Sequence, residues 1–396
     1  MMPSPVATCR SMSSPISETP TVSSAPDCAA SGAYTGATTP HVIVGLSGGV
    51  DSAVAAWLLK EQGYRVSALF MVNWIEDEEG YCTSAEDFQS ARAVSEELGI
   101  PLHRVDFSAE YRQRVFDHFL AAYQAGKTPN PDVLCNREVK FQPFREHALR
   151  LGADFVATGH YARIEHHADG PHLLRALDDN KDQTYFLATV DRADLERVLF
   201  PIGGLTKPMV REVARRAGLP NHQRKDSTGI CFIGEREFGE FLGRYLKSDP
   251  GPIETAPDTD GGKVIGQHRG LMHYTLGQRR GLAIGGQKGA IEAPWFVIAK
   301  DAARNALIVS QQTNHPRLMS TQVNAAPFHW LSAPPASGSR LSARIRHRQP
   351  LQACTLMRMD AARVEVHFDE AQRAAVPGQY LVLYDGEECL GGGEMV

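Results

Sequence analysis

From His41 onward the chain alternates short apolar runs with stretches of helical periodicity. His41–Leu46 is an apolar run ending in a Gly/Ser turn, and after it Val54, Leu58 and Leu59 fall on one face of a helix stopped at Gly63. The spacing then predicts a strand over Arg65–Met71, a helix over Thr83–Leu98, a strand over Leu102–Val105, a helix over Tyr111–Tyr123, a helix over Arg137–Leu151 capped by Asn136, and a strand over Phe155–Thr158. Strands alternating with helices imply an α/β fold with a doubly wound parallel sheet. Beyond about residue 205 the pattern loosens: Lys207–Ala217 reads as a helix and the Gly/Pro/Asp-rich stretch Ser248–Gly262 as connections or hairpins. From about Asn305, short strands with turn signals, among them Ala343–His347, Arg363–Phe368 and Tyr380–Tyr384, predict a compact β-barrel. Residues 1–40 have no hydrophobic periodicity, are rich in Ser, Thr, Pro and Ala, and carry one basic residue, Arg10. The expected organisation is a disordered tail over 1–40, an α/β domain over 41–212, a small adaptor domain over 213–304 and a terminal barrel over 305–396.

Composition narrows the class. The chain has 396 residues, 42% hydrophobic and 22% charged, the balance of a soluble globular protein. No run approaches the ~20 apolar residues that span a bilayer, and no basic region leads into an apolar stretch at the N-terminus, so the reading is cytoplasmic with no membrane partner. The cysteines, Cys9, Cys28, Cys82, Cys135, Cys231, Cys354 and Cys389, include no C-x-x-C pair, so neither structural zinc nor an iron–sulfur cluster is expected. In a reducing compartment a functional disulfide would be transient, and most of the thiols should be inert packing groups. A net charge of −5 argues against non-specific polyanion binding but allows a local basic surface.

The first apolar run leads into Ser47-Gly-Gly-Val-Asp51-Ser52. In an open α/β sheet, ligands bind at the carboxyl ends of strands, where this loop lies. Gly48 and Gly49 let backbone N–H groups approach an anion, Ser47 and Ser52 add hydroxyl donors, and the helix that follows directs its positive end at the charge. Asp51 would repel phosphate directly, so a Mg²⁺ ion bridging it to a pyrophosphate resolves the conflict. The spacing is neither that of a Walker loop nor that of a dinucleotide fold. It resembles the S-G-G-x-D-S signature of the PP-loop ATP pyrophosphatases, which split ATP between the α and β phosphates and adenylate a substrate oxygen.

Two cysteines stand in unusual company. Cys135 closes Thr128-Pro-Asn130-Pro-Asp132-Val-Leu-Cys135 at the expected start of a helix, where the dipole would stabilise a thiolate. Cys231 lies in a Gly-bounded segment near Arg224 and Lys225, which would lower its pKa. These segments, with Phe70-Met71-Val-Asn-Trp74, Thr158-Gly-His-Tyr-Ala162, Lys181-Asp-Gln-Thr-Tyr-Phe186, Gly229-Ile-Cys231-Phe-Ile-Gly-Glu-Arg236 and Tyr274-Thr-Leu-Gly-Gln-Arg279, resemble the tRNA-specific 2-thiouridylases from about residue 41 to the C-terminus. The resemblance implies ATP contacts at Gly45, Leu46, Ser47, Gly48, Gly49, Val50, Asp51, Ser52, Met71 and Gly159. It implies contacts with the target base at Asn130, Pro131 and Asp132, and with tRNA at His160, Lys181, Asp182, Gln183, Arg346, His347 and Gln379. The family's catalytic cysteines fall on Cys135, as nucleophile, and Cys231, as persulfide carrier, with a transient Cys135–Cys231 disulfide and a sulfur-relay protein or cysteine desulfurase as donor. Where the family usually reads Arg-Tyr-Arg, this chain has Arg346-His347-Arg348.

The reaction implied is ATP-dependent thiolation of tRNA uridine at C2, at the wobble position in this family. Asp132, three residues before Cys135, is a candidate for acid or base work and equally for a turn or cap. Arg344, Arg346 and Arg348 alternate on an expected strand and so would share one RNA-tracking face. Two other readings share the loop: a different PP-loop adenylating ligase, and an ATP-gated RNA-binding protein whose thiols are silent.

Overall fold

The computed structural model of the protein describes residues 39–75, 83–226, 238–285, 293–360 and 363–396. Cys231, and with it the expected disulfide, lies outside the described residues, as does the tail up to residue 38.

Strand β1 (His41–Gly45) pairs in parallel with β2 (Arg65–Val72) on one side and with β4 (Phe155–Thr158) on the other, and β3 (Leu102–Asp106) pairs with β2. The chain then forms a hairpin, β5 (Ala162–His167) and β6 (Gly170–Arg175), before β7 (Val198–Leu199) completes the order β3-β2-β1-β4-β7. Val42, Ile43 and Val44 are fully buried because β1 is central and covered on both faces. Alternation sorts them: Val42 and Val44 pack with α1 (Val50–Glu61) and α2 (Thr83–Leu98), and Ile43 packs with the opposite layer. That opposite layer holds α3 (Pro131–Cys135), which runs on through wider π-type turns over Asn136–Phe144 into Arg145–Arg150. Pro143, inside this path, has no N–H to give to the preceding turn. α4 (Lys207–Arg216) packs beside α1, so α1 is buried nearly all round rather than along the single stripe of Val54, Leu58 and Leu59.

A second sheet joins β8 (Gly251–Thr255), β9 (Val264–His268), β10 (Phe296–Asp301) and β11 (Ala306–Ser310) in the order β10-β11-β8-β9. Ala306–Ser310 therefore belongs to this middle sheet and not, as the sequence suggests, to the barrel. Every residue of it is buried, and it pairs on both edges.

The barrel is built from β12 (Met319–Trp330), β13 (Arg340–Arg344), β14 (Gln352–Met359), β15 (Val364–Arg373), β16 (Tyr380–Asp385) and β17 (Glu388–Met395). Pairing of β12 with β17 closes it. At the closure a Cβ on Gly391 would stand 2.1 Å from the His329 carbonyl oxygen, so only glycine admits this approach. Glu388 of β17 also pairs with Leu174 of β6, which adds the nucleotide-domain hairpin to the barrel sheet.

A buried ion pair reinforces that junction. The Asp182 carboxylate accepts bonds from the backbone N–H groups of Ala176 (3.1 Å) and Thr184 (3.4 Å), from the Thr184 hydroxyl and from the Arg344 guanidinium (2.6 Å). Arg344 also lies 5.4 Å from the centroid of the Tyr384 ring. The Asp182 carboxylate is 1% exposed and faces the interior, and the expected arginine strand ends at Arg344, which is 4% exposed, while Arg346 and Arg348 are exposed in the turn beyond it. The three arginines do not share a face, because the first is drawn inward by a carboxylate. No helix among the described residues is long and apolar enough to cross a membrane.

Arg344→Ala leaves the buried carboxylate with only the more distant Arg175 guanidinium, at 3.9 Å, and is expected to cost about 3 kcal/mol of unfolding free energy, whereas Arg346→Ala should stay within about 0.5 kcal/mol of the parent. Equal effects in urea unfolding of the two variants would show that the pair does not hold the junction.

Candidate active site

Gly45 and Thr158 are register partners at the carboxyl ends of β1 and β4, the point where strand order reverses and an open α/β sheet leaves a crevice. Leu46 to Gly49 turn there into α1. Gly48 has φ +82°, and a Cβ on it would stand 2.3 Å from the Asp87 carbonyl oxygen, so the loop requires glycine. Its carbonyl is fixed by three donors, the Ser90 hydroxyl (2.7 Å), the Asn221 amide (2.9 Å) and Arg224 (3.1 Å), the last also paired with Asp87. The Ser52 hydroxyl accepts from the Ser47 N–H (3.2 Å) and donates to the Gly49 carbonyl (3.0 Å), closing the loop on the first turn of α1. With the carbonyl of Gly48 held back, this turn is shaped for an anion at the positive end of α1.

Gly159 closes the other side. A Cβ there would meet the Ser52 nitrogen at 2.6 Å and the Asp51 carbonyl carbon at 2.7 Å, so it lies directly against the loop. Tyr161, two residues on, donates to Asp51 Oδ1 (2.8 Å). Burial, then the Asp51 charge, raises the Tyr161 phenol, which stays a donor. Asp51 is also held by Lys207 Nζ at 2.8 and 2.9 Å, and the same ammonium reaches Asp226 Oδ1 at 2.7 Å. Asp226 is further paired with Lys181 and Arg211, each at 2.7 Å. Burial raises its carboxyl, but the bonds from Lys181 and Lys207 outweigh that and bring it down to about 2.

Lys207 and Asp226 are functional candidates that the pattern reading missed. The one available signal was a lysine in the first turn of a helix, where its charge opposes the dipole. The donor set fits a Mg²⁺ ion shared with substrate phosphates, since Asp51 Oδ2 accepts a single bond here and keeps a lone pair. Among the described residues no cluster of three or more His, Cys, Asp or Glu forms an all-protein metal cage. Met71, at the end of β2, packs against the core layer that contains Cys135.

The second half of the site is the start of α3. Asn130, not Asn136, is the N-cap: its side chain accepts from the Asp132 N–H (3.2 Å), and Pro131 opens the first turn. The Asn136 amide lies inside the helix and donates to the Asp132 carbonyl (3.0 Å). Cys135 is therefore the fifth residue of a helix rather than its first, beyond the turn where the dipole acts most strongly, and it is 2% exposed. Burial raises the Asp132 carboxyl, with Lys140 partly opposing. The approach to this turn is held by other domains. Thr128 donates its N–H to Pro377 (2.9 Å), its carbonyl accepts from the Gln379 amide (2.8 Å), and its hydroxyl meets that of Thr275 at 3.2 Å. Phe144, from the same helical path, lies 3.3 Å from where a Cβ on Gly45 would stand, so the cysteine helix and the phosphate loop share β1.

The remaining expected RNA contacts fall into different settings. Lys181 is tied to Asp226, and the Gln183 side chain accepts from the Tyr161 N–H (2.9 Å). His160 is 7% exposed between Phe141 and Phe200, bonded to Thr158 and kept neutral by burial, so it offers no cation to a phosphate. His347 packs at a tilt of 34° against Phe186 with centroids 4.2 Å apart, and burial lowers its imidazole to about 4 despite Asp182. Cys354 and Cys389 are buried in the barrel, burial pushing Cys354 up to about 12 and Cys389 higher.

Comparison with known proteins gives matches along most of the chain. Three family models match in succession: a tRNA methyl transferase HUP domain over residues 40–235, a tRNA methyl transferase PRC-barrel domain over 239–311 and an aminomethyltransferase beta-barrel domain over 320–395. A protein of Alcanivorax borkumensis named tRNA-specific 2-thiouridylase MnmA is 56% identical over 354 residues, 89% of this chain and 96% of the relative. One of the same name from Escherichia coli O1:K1 is 54% identical over 359 residues, 90% of this chain and 96% of the relative.

Gly159→Ala should displace the first turn of α1 and reduce ATP affinity at least tenfold, while Gly243→Ala, which meets nothing within 4 Å, should leave it unchanged. Isothermal titration with ATP checks both, and unaltered binding by the Gly159 variant would contradict the contact.

Proposed function

The chain belongs to the tRNA-specific 2-thiouridylase family, and on that premise we propose how its own residues divide the work of ATP-dependent tRNA thiolation. The observation that carries the reading is the shared strand: the phosphate loop leaves the end of β1, and the helix bearing Cys135 packs on that same end through Phe144. A nucleotide and a base held at these two places would meet over one crevice.

A uracil C2 carbonyl has a poor leaving oxygen, so activation comes first. O2 attacks the α phosphorus of ATP, an O2–P bond forms, and pyrophosphate leaves with the electron pair of the broken P–O bond. The backbone N–H groups of the loop and the first turn of α1 neutralise charge on the phosphates. Asp51 would hold Mg²⁺, which when bound screens the phosphates from that carboxylate. Asn130, Pro131 and Asp132 orient the base, and Asp132, its carboxyl raised by burial, holds or releases a proton near the reacting atoms. Cys135 stays shielded until the base enters.

Sulfur arrives as a persulfide on Cys231, supplied by a sulfur-relay protein or a cysteine desulfurase in the cytoplasm. In one order the terminal sulfur attacks C2 and AMP departs with O2, after which Cys135 attacks the Cys231 sulfur and the S–S electron pair passes to the new thiocarbonyl. In the other, Cys135 attacks the Cys231 sulfur first, and the hydrosulfide it releases adds to C2 and expels AMP with O2. Both leave a Cys135–Cys231 disulfide that an external thiol must reduce by two electrons. His347, neutral at pH 7, meets tRNA by stacking or hydrogen bonding, and Arg346 supplies phosphate contact.

Nucleoside mass spectrometry of tRNA incubated with the protein, ATP, a persulfide donor and a thiol should show 2-thiouridine for the wild type. Cys135→Ser and Cys231→Ser should yield none, at unchanged melting temperature. Product from either serine variant, or tRNA-dependent pyrophosphate release with no thiouridine, would overturn the reading.

A further inference from the structure

Strand β6 of the nucleotide-domain hairpin meets the barrel at the register pair Leu174 with Glu388, backed by a bond from the Arg175 N–H to the Glu387 carbonyl (2.8 Å). A seam this short leans on its side chains. Arg163 donates to Glu387 (2.7 Å), and His172, two residues before Leu174 and on the same face of β6, lies against Glu388. The His172 side chain is 15% exposed and stands between two carboxylates. Its Nδ1 is 2.8 Å from Glu388 Oε1 of the barrel, and its Nε2 is 2.9 Å from Asp169 Oδ1 in the turn between β5 and β6. A neutral imidazole has one N–H and one lone pair, so on one side it would set that lone pair against a carboxylate oxygen. Only the imidazolium donates to both.

The other charges around the ring come from two neighbouring elements. Arg192, which opens the short helix Arg192–Leu195, places Nη2 2.8 Å from Asp169 Oδ2 and 3.2 Å from His172 Nε2. His167 of β5 packs at a tilt against His172 with ring centroids 4.4 Å apart, and Glu165 stands 3.5 Å from the His167 Nε2. Burial alone would lower the His172 imidazole, but the bonds to Asp169 and Glu388 outweigh it and raise the group above its ordinary value. Once its proton passes to water, the ring keeps one N–H for Glu388, and Nε2 becomes an acceptor for the Arg192 guanidinium already beside it.

Resting on the reading that tRNA spans the nucleotide domain and the barrel, we propose that His172 is a proton-operated latch on this seam, which when charged ties the hairpin turn to Glu388 and when neutral releases Asp169 and weakens the tie to the barrel. A cation held above its ordinary pKa contributes fully below about 6.5, and the contribution is lost as the pH rises through the higher folded value. The barrel fixes the Thr128 backbone through Pro377 and Gln379, so a looser seam reaches the turn that leads to Asn130 and lowers tRNA affinity at alkaline pH.

Fluorescence-anisotropy titration of labelled tRNA against the full chain, at constant ionic strength, reads the latch as a ratio of variant to wild type. His172→Gln, which offers one donor and no charge, should bind about fivefold more weakly than the wild type at about pH 6 and within about twofold of it at about pH 8.5. Glu388→Gln, which leaves the ring in place, should show the same convergence and keeps the test open should the first variant fail to fold. Nuclear magnetic resonance of the ¹³C-histidine-labelled wild type should find a His172 titration midpoint above about 6.5 that falls in Glu388→Gln. An affinity ratio equal at both pH values would make His172 a packing group, and a midpoint at or below the ordinary value would show that the ring is not held charged; either overturns the latch while leaving thiolation standing. A wild type that binds tRNA at neither pH would overturn the tRNA reading as well.

Discussion

The Asp182 carboxylate and the Arg344 guanidinium meet where solvent does not reach, and much of the site depends on that contact. Removing two charges from water costs several kcal/mol for each ion, and the cost is offset only when the remaining hydrogen-bonding positions are filled. Asp182 fills them with the backbone and hydroxyl of its own segment, and Arg344 brings β13 of the barrel to it. The barrel is thereby fixed to the nucleotide domain at one orientation. β16 lies beside β13, and from that side Pro377 and Gln379 set the Thr128 backbone that leads into Asn130 and α3. The turn that would hold the base is thus shaped as much by the barrel as by the sheet it packs on.

The phosphate side answers a different constraint. An aspartate in the first turn of α1 suits the helix dipole but would repel a phosphate bound there, and the structure sets Lys207 from α4 and the Tyr161 hydroxyl from the segment after β4 against it. Gly159 makes this possible, because any side chain there would push against the backbone of Asp51 and Ser52. Helix, strand end and ion network are therefore one unit, with nucleotide binding and the reach of Lys207 set by the same few ångströms.

Much of this is legible in the sequence, and the exceptions have physical causes. Period and spacing identified the strands of the parallel sheet, and the Ser47–Ser52 loop declared itself because its composition and its position after an apolar run agree. The start of α3 was misread because Asn130 and Asn136 are both plausible caps. Pro131 in the first turn and the bond from Asp132 to Asn130 decide for the earlier one, which removes the argument that Cys135 begins a helix. The arginine face failed because a two-residue period was continued past Arg344, where the strand stops. The barrel expected from about Asn305 takes in Ala306–Ser310, although a continuously apolar run is what a strand covered on both faces requires, with Ala306 and Ile308 in one core cluster and Leu307 and Val309 in another. Lys207 and Asp226 could not be found by period at all, since their partners lie far away in sequence.

The central claim is that the loop around Asp51 serves to make the uridine O2 a leaving group by joining it to the α phosphorus. Its most direct test is isotopic. With tRNA carrying ¹⁸O at C2 of the target uridine, mass spectrometry of the nucleotide released during thiolation should find one ¹⁸O in AMP for each 2-thiouridine formed. Label recovered in pyrophosphate, orthophosphate or water, with AMP unlabelled, would contradict it.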